Sequence, residues 1–214
     1  MIRLPAVAFD GGCRRCPRLA ALLDQVKGDY PDYFCAPVPP FGDPTPRLLI
    51  VGLAPGMHGA NRTGRPFTGD YAGILLYRTL HRLGVASAPE SRSAEDGLRL
   101  DGVRITNAVK CLPPKNRPVA AEIRQCNPFL AAEIAGLPAS CNLLALGLVA
   151  HQAVLRACRL PLASRRFAHG AAHSLPDGRR LIDSYHCSRY NTQTGRLTEE
   201  AFRAVVAQAL EPPA

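Results

Sequence analysis

The feature that most constrains this chain is an alternation of two patterns. Short runs rich in aliphatic and β-branched residues stand at 47–51, 103–109, 142–146 and 180–185. Stretches with apolar residues recurring at three and four stand at 18–26, 73–83, 120–134, 148–158 and 199–210. The first pattern predicts strands and the second helices. Strand and helix in turn argue for an α/β fold, a mostly parallel sheet covered by helices on both faces. A chain of 214 residues, 47% hydrophobic and 20% charged, has enough apolar sequence for one core of that kind. Residues 1–214 are therefore expected to form a single domain. The most apolar window, 136–155, is broken by Pro138, Asn142 and His151 and predicts a buried strand and helix, not a membrane span.

Ligands of parallel sheets bind beyond the carboxyl ends of the strands, so the residues that leave each run are where chemistry is expected. The first exit opens a long loop, GLAPGMHGANRTGRPFTGD at 52–70. Its glycines let backbone N–H groups approach a bound group, and Arg62 and Arg65 add positive charge. No Gly-Lys-Ser/Thr follows, so it is not a P-loop. Its one aromatic, Phe67, taken alone reads as a packing anchor. The second exit ends in Asn107, whose amide offers a donor and an acceptor suited to a pyrimidine edge, although an Asn at a strand end is ordinarily a turn former. The last exit, HCSRYNTQTG at 186–195, puts a histidine beside polar, cationic and aromatic groups; it fits either a DNA groove or a solvated loop. Residues 37–46 (PVPPFGDPTP) predict a stiff connector and 87–97 a polar, mobile one. For His58, His81, His151, His169 and His173 no partner is readable, and each predicts a surface or satisfied core role.

Charge and cysteine narrow the partners. A net charge of +9 favours polyanions such as nucleic acid. The opening MIRLPAVAFDGG has no long apolar segment, which predicts a reduced, cytoplasmic setting. There, closely spaced cysteines hold metal or do redox chemistry more often than they form disulfides. Cys13-x-x-Cys16, with Cys111 and Cys126, offers four thiolates for a [4Fe-4S] cluster or a Zn²⁺. The second close pair of a zinc ribbon is lacking, which leans towards the cluster. A redox dithiol and ordinary buried thiols are the alternatives; Cys35, Cys141, Cys158 and Cys187 read as structural.

Together, GLAPGMHGANRTGRPFTGD (52–70), ITNAVKC (105–111), HCSRYNTQTGRLT (186–198) and the four placed cysteines resemble the iron–sulfur uracil-DNA glycosylases, in particular their family 5 branch. The resemblance implies a three-layer α/β/α sandwich around a four-stranded, mostly parallel sheet, with an N-terminal cluster-binding segment. It implies that Cys13, Cys16, Cys111 and Cys126 hold a [4Fe-4S] cluster in a structural role. It also implies that Phe67 stacks on an extruded base, Asn107 reads its edge and His186 contacts the pyrimidine O2. The expected partner is double-stranded DNA carrying uracil, with single strands, hypoxanthine, ethenocytosine and hydroxymethyluracil as further substrates, and the protein is expected to act as a monomer.

The chemistry of such a site asks for a donor aimed at O2, where negative charge collects as the N-glycosidic bond breaks. His186 and the backbone N–H groups of Gly52, Leu53 and Ala54 would supply it. The related family 4 enzymes carry Glu in the second place of Gly-x-Ala-Pro-Gly; Leu53 here cannot orient water. Asp70 or Asn61 is expected to do so, or leaving-group stabilisation suffices. Arg62, Arg65, Arg189, Tyr190 and Asn191 are the expected DNA contacts, the last three as a wedge. The rival readings are a non-catalytic nucleic-acid-binding module and a hydrolase or transferase of small nucleotides.

Overall fold

The protein is described here from a computed structural model over residues 8–212. Six strands form one sheet: β1 (Phe41–Gly42), β2 (Leu48–Gly52), β3 (Val103–Asn107), β4 (Asn142–Leu146), β5 (Ala172–Ser174) and β6 (Arg180–Ser184). Their order is β1-β3-β2-β4-β6-β5. The inner four run parallel, as the alternation predicts. Two short antiparallel strands, β1 and β5, extend the expected four-stranded sheet at its edges. The helices are α1 (Pro17–Asp29), α2 (Ala60–Thr63), α3 (Tyr71–Arg82), α4 (Ala120–Ala135), α5 (Leu148–Ala157), α6 (Arg189–Gln193) and α7 (Glu199–Leu210).

The period-two side-chain direction of each inner strand sorts its residues between two cores. Leu48 and Ile50 of β2, with Leu144, Leu146 and Ile182, face α3 and α7. Leu49 and Val51, with Leu143, Ala145 and Leu181, face α4 and α5. The helices answer at helical spacing: Phe202, Val205, Val206 and Ala209 from α7, and Ala150, Ala153 and Val154 from α5. The result is the three-layer α/β/α sandwich. Helix α1 covers a smaller cluster beside α4, through Leu19 and Phe129. Among the described residues no helix is long and apolar enough to cross a membrane.

Two local expectations are corrected. The predicted strand at 103–109 stops at Asn107, because the N–H groups of Ala108 and Val109 turn to the carbonyls of Gly52 and Leu53 (2.9 and 3.0 Å). Residues 87–97 are not a free tether either. Ser91 bonds Thr68 (2.7 Å), and Asp96 accepts from the backbone of Arg92, Ser93 and Leu98.

What pins that segment is Arg65. It was expected at the DNA surface, but it is 5% exposed, ion-paired to Asp96 (2.6 Å), bonded to Ser91 and the Ala94 carbonyl, and stacked over Phe41 at 4.2 Å. Arg65 therefore ties the 52–70 loop to the 87–97 loop and is closed to phosphate. Removing one member of a buried pair leaves the other charge stranded. Arg65→Ala is thus expected to cost about 3–5 kcal/mol in urea unfolding, an effect no exposed DNA-binding arginine would show.

Candidate active site

The inner strands end together, with Gly52 opposite Asn107 and Leu146 opposite Ser184, and their exits carry the site. Gly52 leaves β2 beneath two of the expected residues. A Cβ at 52 would overlap Asn107 Oδ1 and lie 2.5 Å from Phe67 Cζ. Glycine is needed because an amide and a ring converge on its α-carbon.

Phe67 is held there at a conformational cost. Its φ of 56° lies in the left-handed region, which costs a non-glycine residue about 1–2 kcal/mol. Three contacts hold it. Tyr77 donates its hydroxyl to the Pro66 carbonyl (2.7 Å), Thr63 bonds the Thr68 carbonyl (3.2 Å), and Gly73 makes room for the Phe67 carbonyl, which any Cβ at 73 would strike. Strain retained under such constraint marks positions where a fixed ring matters.

His186 follows β6 and faces Phe67, their ring centroids 6.0 Å apart at an interplanar angle of 26°. The structure thus brings Phe67 and Asn107 together over Gly52 and sets His186 against Phe67. Among the described residues neither the Asn107 amide nor the His186 ring has a hydrogen-bond partner, although Asn107 is only 3% exposed. Burial pushes the His186 imidazole down to about 4, so the ring is neutral at physiological pH and offers one N–H. Its main chain is fixed by Asn191, which donates from Nδ2 to the His186 carbonyl at 2.8 Å. Asn191 was expected to reach DNA; its amide instead turns inward and holds His186.

Asp70 ends the loop as the N-cap of α3. Its Oδ1 accepts from Gly73 N (3.0 Å), while its side chain fills the space that a Cβ at Gly59 would need. Burial raises the carboxyl above its ordinary value, against the lowering effect of the Gly73 and Ala72 N–H groups. Asn61, the other residue expected to position water, is fully buried, and its amide contacts Cys35 Sγ (3.5 Å) instead of the base-pocket residues. Leu53 and Ala54 are half-buried on the turn after Gly52, which the carbonyl bonds to Ala108 and Val109 lock to the second exit.

The rim is cationic and aromatic. Arg62 is exposed over Gly69, Arg189 is exposed above the Tyr71 ring (5.0 Å), and Tyr190 is 71% exposed on α6. Thr192 of α6 also bonds the Tyr71 hydroxyl (3.2 Å), which joins the His186 loop to the start of α3. Sequence reasoning missed a trough of about 490 Å³ that opens beside Phe67, lined by Asp70, Tyr71, Ile74, Arg78, Arg92 and Arg189. The legible signal was the spacing of Tyr71, Ile74 and Arg78, which repeats along one face of α3.

Cys13, Cys16, Cys111 and Cys126 line one pocket with Leu19 and Phe129. They come from the residues ahead of α1, the N-cap of α1, the second strand exit and α4. The Lys110 N–H points at Cys126 Sγ (3.3 Å), and Phe9 packs edge-on against Phe129. Among the described residues the one set of three or more His, Cys, Asp or Glu ligand atoms within 4.8 Å of one another is His151, His173 and Asp183. Ala54 packs against the same cluster as the thiols, so this pocket backs onto the floor of the base site.

Comparison with known proteins gives the same picture. The family model of the Uracil DNA glycosylase superfamily matches residues 39–210. A type-5 uracil-DNA glycosylase of Thermus thermophilus is 50% identical over 202 residues, covering 92% of each chain. One of Mycobacterium leprae is 47% identical over 199 residues, covering 87% of this chain and 85% of its own. One of Pyrobaculum aerophilum is 42% identical over 201 residues, covering 92% and 87%. With the match running from the first edge strand through the last helix, and with the convergent exits lying inside it, this chain belongs to the uracil-DNA glycosylase superfamily.

Proposed function

We propose that the protein excises uracil from DNA in base excision repair, as a monofunctional glycosylase. The carrying observation is the meeting of Phe67 and Asn107 at Gly52 with a neutral His186 facing Phe67, the polar groups of Asn107 and His186 left free by the protein. A target base must leave the stack, at a cost of a few kcal/mol that is smallest for a mispair, so uracil opposite guanine is the easier substrate. In the pocket the Phe67 face takes the ring and the Asn107 amide takes the polar edge.

Bond breaking sends the N1–C1′ electron pair into the base, where charge collects on O2. The His186 N–H, pre-positioned and short of other acceptors, strengthens its hydrogen bond as that charge develops. Water then adds at C1′. Asp70, whose carboxyl has a raised proton affinity and which lines the trough beside Phe67, is the group to orient that water and take its proton. Leu53 gives the turn no such group.

The four cysteines fit a [4Fe-4S] cluster. A tetrahedral zinc site with Zn–S near 2.3 Å sets its sulfurs ~3.8 Å apart, whereas no three of these sulfurs lie within 4.8 Å of one another. An apolar wall and an N–H aimed at sulfur suit a buried cluster. The cluster would be structural, clamping α1 and α4 to the second strand exit. DNA follows the rim. Arg62, Arg189 and Tyr190, with Arg78 and Arg92 in the trough, are the groups to meet the backbone. Hypoxanthine, ethenocytosine and hydroxymethyluracil are further bases to be tried in the same pocket.

The decisive experiment is base release from duplexes carrying uracil opposite G or A, scored as abasic sites. Failure to release a base from any damaged duplex ends the enzyme reading in favour of a binding module. Affinity for duplex is expected to fall steeply with salt. Arg78→Ala and Arg189→Ala should each flatten the slope of log K against log salt by about 1, because each removes one phosphate contact. A slope unchanged in both variants moves the DNA path off this trough.

A further inference from the structure

Asp183 lies on β6, three residues before His186, on the sheet face that packs against α5. Its carboxylate is fully buried and receives two imidazoles: His151 Nδ1 of α5 at 2.8 Å from Oδ1, and His173 Nε2 of β5 at 2.9 Å from Oδ2. The other nitrogen of His151, Nε2, lies 3.1 Å from the carbonyl of Arg165. Both ring nitrogens of His151 therefore face acceptors. A neutral imidazole has one N–H and one lone pair, so one of the two oxygens would meet a lone pair in a site that is 1% exposed. An imidazolium satisfies both. His173 needs only a neutral Nε2–H.

We propose that His151 is held as an imidazolium at neutral pH with Asp183 as its counter-ion, and that this buried His–Asp–His strut is a positioning element for His186. The proposal rests on the reading of His186 as the leaving-group donor. The His186 ring has no protein partner among the described residues, so its aim is set by its main chain. That main chain issues from a strand end tied to the same neighbours the strut joins. Asp183 N donates to the Ala171 carbonyl (2.9 Å), Gly170 N donates to the Asp183 carbonyl (2.8 Å), and Gly147 N, at the start of α5, donates to the Ser184 carbonyl (2.8 Å). The strut staples α5 and β5 to β6 three residues before His186.

The groups facing His151 are Asp183 from β6, the His173 ring from β5 at 5.5 Å, and the Arg165 carbonyl and Phe167 ring from the segment after α5. Burial disfavours the charged ring, but the Asp183 hydrogen bond and charge, with the Arg165 carbonyl, outweigh it and raise its proton affinity above the ordinary 6.5. A raised folded value means that the strut's stabilisation is complete below 6.5 and is lost as pH climbs through the folded value. Each imidazole takes its own carboxylate oxygen, the pattern of two hydrogen bonds; a metal would need three lone pairs meeting at one point.

The test uses nitrogen NMR of the histidine rings in the whole protein, with single-turnover uracil release and duplex affinity measured across pH. Both His151 nitrogens should carry protons at neutral pH and titrate above 6.5, and release should fall on the alkaline side in step with them. His151→Asn keeps a donor for Asp183 but cannot titrate; it should lose that alkaline limb while binding duplex like wild type. A neutral His151 ring at pH 7, a divalent metal retained stoichiometrically by His151, His173 and Asp183, or one pH profile shared by wild type and variant overturns the proposal. A doubly protonated His151 in a protein that releases no base leaves the charge assignment standing and sinks the functional reading, and the positioning role with it.

Discussion

Replacing His186 with alanine lowers single-turnover uracil release by about 10²–10³-fold and leaves duplex affinity within about twofold. The expected size follows from losing one pre-positioned donor at the atom where charge develops, an interaction worth little while the base is neutral and much once its bond to the sugar breaks. The ring stacks against Phe67 while Arg189 and Tyr190 are the exposed groups of the rim, so its removal is expected to take away no contact to the backbone. A pH series sharpens the expectation. With its imidazole pushed down to about 4, His186 is already neutral at 6.5, so its own titration leaves release unchanged until near 4; a fall on the acid side before that belongs to protonation of Asp70, whose carboxyl burial raises. A cationic donor with the ordinary value would instead speed release as pH drops through 6.5. The same shift acts on stability. The unfolded ring takes up a proton below about 6.5 and the folded one does not, so stability declines from there to about 4 and then levels. A variant that loses affinity in proportion to rate would show His186 to be a ground-state contact.

The alternation of strand and helix was legible because inner parallel strands are apolar on both faces and their crossover helices are periodic. Predicted and observed spans coincide at Asn142–Leu146 and Glu199–Leu210. The edge strands were not legible: Phe41–Gly42 and Ala172–Ser174 are too short for any pattern to repeat. At the site, Phe67, Asn107 and His186 could be read off the motif loops because those loops follow three of the apolar strands. The net charge pointed to the right class of partner but not to Arg65, because a sequence does not say which cations are spent inside. Arg65 is paired with Asp96, and Lys110 and Arg104 share Glu133, so these three cations are turned inward while most of the basic excess remains for the surface. Asn191 and Asp183 were missed for a related reason: each acts through a partner distant in sequence or on the main chain, and only the folded chain brings the pair together.

Cys126→Ala is expected to strip iron and visible colour from the purified protein, cut uracil release by at least about 10²-fold, and unfold the segment around α1 at lower urea than the rest of the chain. The three losses share one physical route. Helix α1 buries only Leu19, Ala20, Leu23 and Val26, and its start carries two of the four cysteines. Each large apolar side chain among them is worth about 1.5–3 kcal/mol when buried, too little to order thirteen residues at a backbone cost near 1–2 kcal/mol each. The helix therefore depends on what the thiols hold. The second strand exit depends on it as well. Cys111 lies two residues beyond Val109, whose N–H fixes the Leu53 carbonyl, and Ala54 packs on the same cluster of residues. Releasing that corner loosens the turn above Gly52 on which Phe67 and Asn107 converge. Burial and the three neighbouring sulfurs push the Cys111 thiol up to about 12, so without a polycationic partner Cys111 stays protonated and offers α1 no ionic tie. A Cys126→Ala protein that keeps its iron and releases uracil at the wild-type rate would show that the four sulfurs are packing residues, and that the base pocket stands without them.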